Sequence, residues 1–446
     1  MSLRSIEEPA RRTGLLGEFD VCVLGGGPAG QAAAVSAARG GARTLLVERY
    51  GFLGGMGTAG GVTNFAGLYG RRGGQMQQLV HGVVDELLDR IDALGGLNAP
   101  QDGLQGRIRV RSYDIPAYKC AADAWLLASG AQILFHALAV GVAMEGTRID
   151  ALLVETRSGR RAIRAHQFID ASGDGDLAAH AGVPFELGDG AGSGLFPSTM
   201  ARFAQVDAAR ALAAVGDFKA IDALMTAAAA AGRWRFPRRG AILRPQRNPT
   251  EWRANVTQLA NDRGQAADAT DALQLSAAEL EGRRQIVEYW RFLRAEVPGF
   301  EAAEIAEIAP QVGIRESRRI AGAHVLTEDE VLGGARFADT IGLNGWPVEL
   351  HVAGGMEWRF HADADNAFHQ LPFAMLVPPG VPNLLVAGRC ASMTHVGQSA
   401  ARVSGGCFVM GQAAGTAAAL RVAGRFGVPA LQAALRAAGA DLGDAA

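Results

Sequence analysis

The stretch DVCVLGGGPAGQAAAVSAARGGARTLLVE, Asp20 to Glu48, holds a strand, a glycine turn, a helix and a second strand within 29 residues. Phe19 to Leu24 is apolar and valine-rich, the pattern of a parallel strand buried on both faces. Gly25-Gly26-Gly27-Pro28-Ala29-Gly30 then turns the chain into an alanine-rich helix over Gln31 to Arg39, which stops at Gly40-Gly41. Arg43 to Val47 supplies the second aliphatic strand, and Glu48 stands at its end, 18 residues after Gly30. Gly25 permits the tight turn, Gly27 lets backbone approach a pyrophosphate and Gly30 lets helix and strand touch. The helix N-terminus, led by Pro28 and Ala29, faces the phosphate charge, and Glu48 is placed to accept both ribose hydroxyls. A lone GxGxxG is weak, but here the strand, helix and acid all sit at the required spacing. An ordinary βα turn is the alternative, and the spacing leaves NAD and FAD both open.

Working outward, the 446 residues are 49% hydrophobic and 20% charged, enough for a full core split between two domains or one domain with a large insertion. Lysine occurs only at Lys119 and Lys219, yet 45 acidic residues balance the arginines to a net charge of -2. That balance offers no global basic field for nucleic acid. Cys22, Cys120, Cys390 and Cys407 are scattered, without the spacing of a zinc or iron-sulfur site, and read as buried thiols of a reducing cytoplasm. No metal site is expected. Arg11-Arg12 precede no apolar run, and no stretch of about 18 apolar residues occurs, so the expectation is a cytoplasmic chain with no membrane partner.

The segment ERYGFLGGMGTAG, Glu48 to Gly60, adds a second small-residue loop at Gly54-Gly55 and Gly57. It resembles the FAD-dependent oxidoreductases of the glutathione-reductase superfamily, nearest the branch related to succinate dehydrogenase and fumarate reductase flavoproteins, where a glycine doublet follows the ribose-binding acid. The resemblance implies an α/β fold: a Rossmann-like FAD-binding domain with a parallel sheet and helices, interrupted by an inserted α+β substrate or cap domain. It implies cofactor contacts at Arg49, Gly54, Gly55 and Met56, and at the backbone of Ala139 within a strand over Ala131 to Met144. It extends to Ala171 and Gly173 in AIRAHQFIDASGDGDLAAHAGVPFE, Ala162 to Glu186, where a helix capped by Asp174 or Asp176 is the plain structural reading.

The closing segment NLLVAGRCASMTHVGQSAARVSGGCFVMGQAAGTAAAL, Asn383 to Leu420, begins as a strand ending at Gly388-Arg389. It ends in a helix whose Gly411, Ala414, Gly415 and Ala418 form a stripe at i, i+3, i+4, i+7. The resemblance implies cofactor contacts at Gly388, Arg389, Ser399 and Arg402, and a helix N-terminus aimed at the flavin pyrimidine, where it would stabilise reduced-flavin charge. A plain core helix is the other reading. The expected division is 19–186 with 350–425 for FAD, 187–349 for the cap, and terminal extensions 1–18 and 426–446. Within the cap, 206–231 reads as alanine-rich helix, 276–296 as a long amphipathic helix, and the basic run Arg233 to Arg247 as a solvated hairpin rather than an anion site. GIRESRRIAGAHVLTEDEVLGGARFADTIG, Gly313 to Gly342, and VELHVAGG, Val348 to Gly355, also resemble this branch.

Because flavin itself accepts the hydride, the chain need supply only orientation, a proton acceptor and charge tuning. His351, His369 and His395 are candidate bases, with His351 and His395 ranked first; Arg315, Arg318 and Arg319 either clamp an anionic substrate or pair with Glu316 and Glu307. No histidine adjoins Gly54-Gly55, where succinate-oxidising relatives attach flavin, which implies non-covalent FAD. Ala178 and Ala181 stand where hydroxylases of the superfamily carry serine and arginine in a DGxxSxxR motif, and GDGAGSG, Gly188 to Gly194, follows no strand, so no second dinucleotide domain is expected. The reading is an FAD-dependent dehydrogenase or desaturase of a small molecule, reoxidised by oxygen or another carrier of unknown identity. A reductase fed by a donor protein and a non-catalytic flavin scaffold are the alternatives, and a homodimer is one assembly the reading admits.

Overall fold

The structure, a computed structural model, describes residues 6–215, 218–240 and 242–443. Strand β1, Gly14–Leu24, starts inside the expected N-terminal extension, because Gly14 to Phe19 already pair with Arg161 to Ala165. Helix α1, Pro28–Arg39, has Gly27 as its N-cap and Pro28 in its first turn, where a missing N–H leaves no helical bond unmade. Strand β2, Thr44–Val47, runs parallel to β1. The single strand expected over 131–144 is two, β3 (Gln132–Leu134) and β4 (Leu138–Glu145), interrupted where His136 takes a φ of 55°. Strands β5, Arg148–Thr156, and β6, Gly159–Asp170, complete a sheet of order β3-β2-β1-β6-β5-β4. Its β3, β2, β1 and β6 are parallel, while β5 and β4 are antiparallel.

The inserted part contains β7 (Met200–Ala204), α2 (Ala208–Val215), α3 (Phe218–Ala230), β8 (Ile242–Pro245), β9 (Trp252–Asn255), α4 (Ala272–Glu296) and β10 (Glu304–Ile308). These strands form an antiparallel sheet of order β8-β9-β7-β10 over a separate core that includes Phe203, Trp252, Ile286 and Phe292. Helix α4 starts at Ala272 rather than Ser276 because the Asp271 carboxylate accepts the N–H groups of Leu273 and Gln274. The cap's own core is confined to residues 201–308; Ile320, Leu326, Val331 and Ile341, inside the segment expected as cap, pack in the main core instead.

Strands β11, Val348–Leu350, and β12, Glu357–Arg359, form a hairpin, and β13, Leu384–Val386, adds to the main sheet in parallel with β6. Helix α5, His395–Ala401, meets α6, Ser404–Val422, at 91°. Helix α7, Val428–Ala437, buries Leu431 and Leu435, so the expected C-terminal extension is part of the packed structure. A Cβ on Gly411 would lie 2.1 Å from the carbonyl oxygen of Ala29, and one on Gly415 2.1 Å from that of Ala33. The small-residue stripe is thus what lets α6 touch α1 backbone to backbone. Cys22, Cys390 and Cys407 are buried; Cys120, expected with them, is exposed. Among the described residues no single helix is long and apolar enough to cross a membrane.

Candidate functional site

The carboxyl ends of β1, β2, β6 and β13 open onto one cavity that continues to the cap sheet. At Gly25 the φ is 100° and a Cβ would sit 2.4 Å from the Ala171 carbonyl oxygen, so only glycine fits there. A Cβ on Gly30 would lie 1.7 Å from the Gly25 oxygen, which explains the close turn from strand into helix. Gly27 is different: a Cβ there meets only the Gly55 Cα, at 3.7 Å, while one on Gly55 would lie 2.9 Å from the Gly27 Cα, so the two glycine loops meet backbone to backbone at the cavity wall. Glu48 Oε2 accepts the Gly26 N–H at 2.6 Å and Oε1 accepts that of Tyr50 at 3.0 Å. Each oxygen keeps a lone pair for a hydroxyl. A cradle that added side-chain atoms would fill, beside a fixed carboxylate, fits a dinucleotide.

Of the expected cofactor residues, Gly25, Gly27, Pro28, Ala29, Glu48, Arg49, Gly55, Met56, Ala139, Ala171, Gly173, Gly388, Arg389 and Arg402 line this cavity. Gly388 closes on α1 directly, a Cβ there falling 3.0 Å from that of Ala29. Gly30 and Gly54 lie behind the lining and shape the loops. Ser399 does not reach it: fully buried, its hydroxyl donates to the Val396 carbonyl within α5. Asp174 caps no helix; the helix over Asp176–His180 has Gly175 as its N-cap, without a side-chain bond. Its carboxylate instead binds Arg389 at 2.8 Å and Ser317 at 2.9 Å, with Arg49 at 3.6 Å. Burial would raise the Asp174 carboxyl, but the charges of Arg389 and Arg49 hold it below the usual range.

The cap-side end is built by the β11–β12 hairpin. Glu349 and His351 share one face by the two-residue period, and Trp358 stands opposite Glu349 in register. His351 Nε2 lies 3.2 Å from Glu349 Oε1, and the Trp346 indole donates to Glu349 Oε2 at 3.0 Å. Burial, then the charge of Arg315, pushes the His351 imidazole well below its ordinary value. Burial opposes ionisation of Glu349, yet the His351 bond and the His351 and Arg402 charges hold it at about 2. Arg315 donates to the Phe196 carbonyl at 2.6 Å and approaches Asn255 Oδ1 at 3.4 Å.

His395 and His369 leave the list of bases that touch the cavity. His395 Nδ1 sits 2.9 Å from Glu316, which also pairs with Arg319, while His369 is buried between Asn344 and His361. Of the expected carboxylate pairings, Arg319 with Glu316 forms, but Arg318 binds Asp176, Arg202 takes Glu307, and Arg315 lies against carbonyl and amide oxygens. The basic run, expected as a solvated hairpin, is so only in part: Arg233, Arg235, Arg239 and Arg247 are exposed, but two of its arginines turn inward. Arg238 is 1% exposed, with Nη1 2.8 Å from Asn255 Oδ1, and Arg244, in β8, lines the cavity beside Arg253 of β9. Glu349, Arg253, Trp346 and Trp358 were absent from the sequence reading; the alternation Arg253-Ala254-Asn255 in a short strand after the Asn248–Thr250 turn was the available signal.

A family model described as FAD dependent oxidoreductase matches residues 20–436. Comparison with curated protein sequences gives no match. Among solved structures the chain resembles BexE, studied for oxidation during BE-7585A biosynthesis, at 14% identity and a TM-score of 0.47 over 94% of this chain and 66% of that one, just under two thirds of its length. It also resembles a geranylgeranyl bacteriochlorophyll reductase-like protein of Thermoplasma acidophilum, at 13% identity and a TM-score of 0.45 over 94% and 83% of the two chains. A p-nitrophenol 4-monooxygenase of Pseudomonas putida matches at 10% identity and a TM-score of 0.47 over 94% and 84%. None of these activities transfers at such likeness. The family match, running from the strand before the glycine turn to the last helix, shows that the chain belongs to the FAD dependent oxidoreductases and takes FAD as its cofactor.

Proposed function

We propose that the protein is an FAD-dependent dehydrogenase that takes two electrons and a proton from a small organic substrate held between the nucleotide domain and the cap, then passes the electrons to oxygen or another carrier. The observation that carries this reading is His351, neutral at pH 7, lining the cavity and tethered to an ionised Glu349. With Nε2–H directed at Glu349, Nδ1 keeps the lone pair that accepts the substrate proton. Glu349 fixes the ring and stabilises the imidazolium that forms, as an orienting carboxylate does in other general-base pairs. Arg315 supplies positive charge where the substrate oxygen becomes negative. When bound, FAD supplies the two-electron acceptor.

Residues that would hold FAD are the glycine loops around Gly27 and Gly55, Glu48 at the ribose end and Arg402 at the α5–α6 elbow. Arg402 has buried Nε and Nη2 atoms without hydrogen-bond partners, donors suited to a polar ring edge. Non-covalent attachment is part of the proposal, since no histidine adjoins Gly54-Gly55. The test is anaerobic mixing with candidate substrates, followed as loss of flavin absorbance at about 450 nm. Bleaching with release of an oxidised product supports dehydrogenation; incorporation of an atom from labelled dioxygen into the product sinks it.

A further inference from the structure

The cap sheet sets Arg244 of β8 directly opposite Arg253 of β9, and Arg253 opposite Arg202 of β7. Residues facing each other across antiparallel strands share a face, and like charges so placed repel. Arg202 is relieved by Glu307 at 3.1 Å and Glu251 at 3.4 Å. Arg253 forms no ion pair among the described residues. One guanidinium nitrogen bonds the Val62 carbonyl and Asn64 Oδ1, and its Nε is buried without a hydrogen-bond partner. Burial, with the charges of Arg244 and Arg238, pulls the Arg253 guanidinium down to about 9.

Arg238, Arg244, Arg253, Arg315 and Arg402 all feel the same carboxylate, Glu349, which His351 and Trp346 already engage. Arg238, Arg253, Arg315 and Arg402 form no ion pair among the described residues, so their charge is not met by a contacting carboxylate. The phosphates of FAD are assigned to the Gly27 and Gly55 loops of the nucleotide domain, whereas Arg244 and Arg253 belong to the cap sheet. The same cavity is lined by an apolar cluster of Trp346, Trp358, Ile108 and Val110. The indoles meet edge to face with centroids 6.0 Å apart.

We infer that the substrate is an amphiphilic anion: a carboxylate or phosphate head seated on Arg244 and Arg253, carrying a planar apolar body against Trp346 and Trp358. This rests on the proposed function insofar as the same chamber holds the reacting molecule. The fork geometry of guanidinium suits either oxyanion, and aromatic faces add contact energy to a flat ring.

The test uses the FAD-loaded protein and ligands with no oxidisable centre, so recognition is read separately from dehydrogenation. Benzoate, phenyl phosphate, benzamide and acetate are titrated while the flavin spectrum or calorimetric heat is recorded. Benzoate or phenyl phosphate should bind at least about tenfold tighter than both benzamide and acetate, a gap of roughly 1.4 kcal/mol; whichever is tighter identifies the head group. Arg253→Met and, separately, Arg244→Met should weaken that binding about tenfold while retaining FAD. Equal binding of benzamide, equal binding of acetate, no binding of either anion at millimolar concentration, or unchanged affinity in a FAD-replete variant would each overturn the inference. The wild-type comparison stands even where a variant fails to fold.

Discussion

His351 is held between opposing influences: burial and the Arg315 charge disfavour its protonation, while Glu349 favours it. The depressed value keeps the imidazole ready as a base across neutral pH. Flavin reduction should therefore stay constant from pH 8 down through 6.5 and decline only well below it; a midpoint at 6.5 or higher in stopped-flow bleaching would remove His351 as the base. His351→Gln should slow reduction by roughly a hundredfold or more without loss of bound FAD. Gly27 makes a different prediction. A Cβ there meets nothing in the polypeptide closer than the Gly55 Cα at 3.7 Å, so Gly27→Val should keep the melting temperature of the FAD-free wild-type protein and purify colourless. A yellow Gly27→Val protein would mean that the pyrophosphate lies elsewhere.

Elements, rather than single residues, set the distance between the nucleotide loop and the flavin-side elbow. Helix α6 rests on α1 through Gly411 and Gly415, whose missing side chains let two backbones meet. Gly411→Val should force the helices apart, lowering stability to urea by about 3 kcal/mol and weakening FAD retention together. Were only stability to fall, the α1–α6 contact would not be positioning the cradle. Strand ends behave similarly: β6 and β13 are tied beyond their last residues by Asp174 bridging to Arg389 and Ser317. Asp174→Asn leaves the Arg389 charge buried and uncompensated, with an expected loss on the order of 3 kcal/mol measured by denaturant titration.

Across the whole molecule, the buried histidines make stability depend on pH. His351 and His369 lie well below their ordinary value, and burial followed by the Arg336 charge brings His361 to about 4. Each binds protons more readily when unfolded, so the stability of the neutral forms is lost as pH falls below about 6.5. Asp170 has the opposite sign: burial raises it to about 6, and its contribution, complete below the ordinary carboxylate range, fades as pH rises through 6. With the three histidines, Asp174 and Glu349 acting against Asp123, Asp170 and Asp176, the melting temperature should drop between pH 6.5 and 4, and His361→Gln should flatten that slope. A melting temperature that rises on acidification would contradict the assignment of neutral imidazoles.

The sequence by itself determined the nucleotide half, because its signals are local. Strand, glycine turn, helix and acid lie within Asp20–Glu48, and Gly25 and Gly30 answer to backbone clashes that spacing alone anticipates. Gly388, over 350 residues later, met Ala29 as the paired glycine strand ends implied. Only tertiary structure decided the chemistry of the cap. Which histidine faces the cavity depended on the twist that puts His351 beside Glu349 and sends His395 to Glu316. Whether Arg244 is solvated or seated inside depended on its register with Arg253. A charged residue in a short strand carries no local mark of which face will be covered; burial belongs to what packs against it.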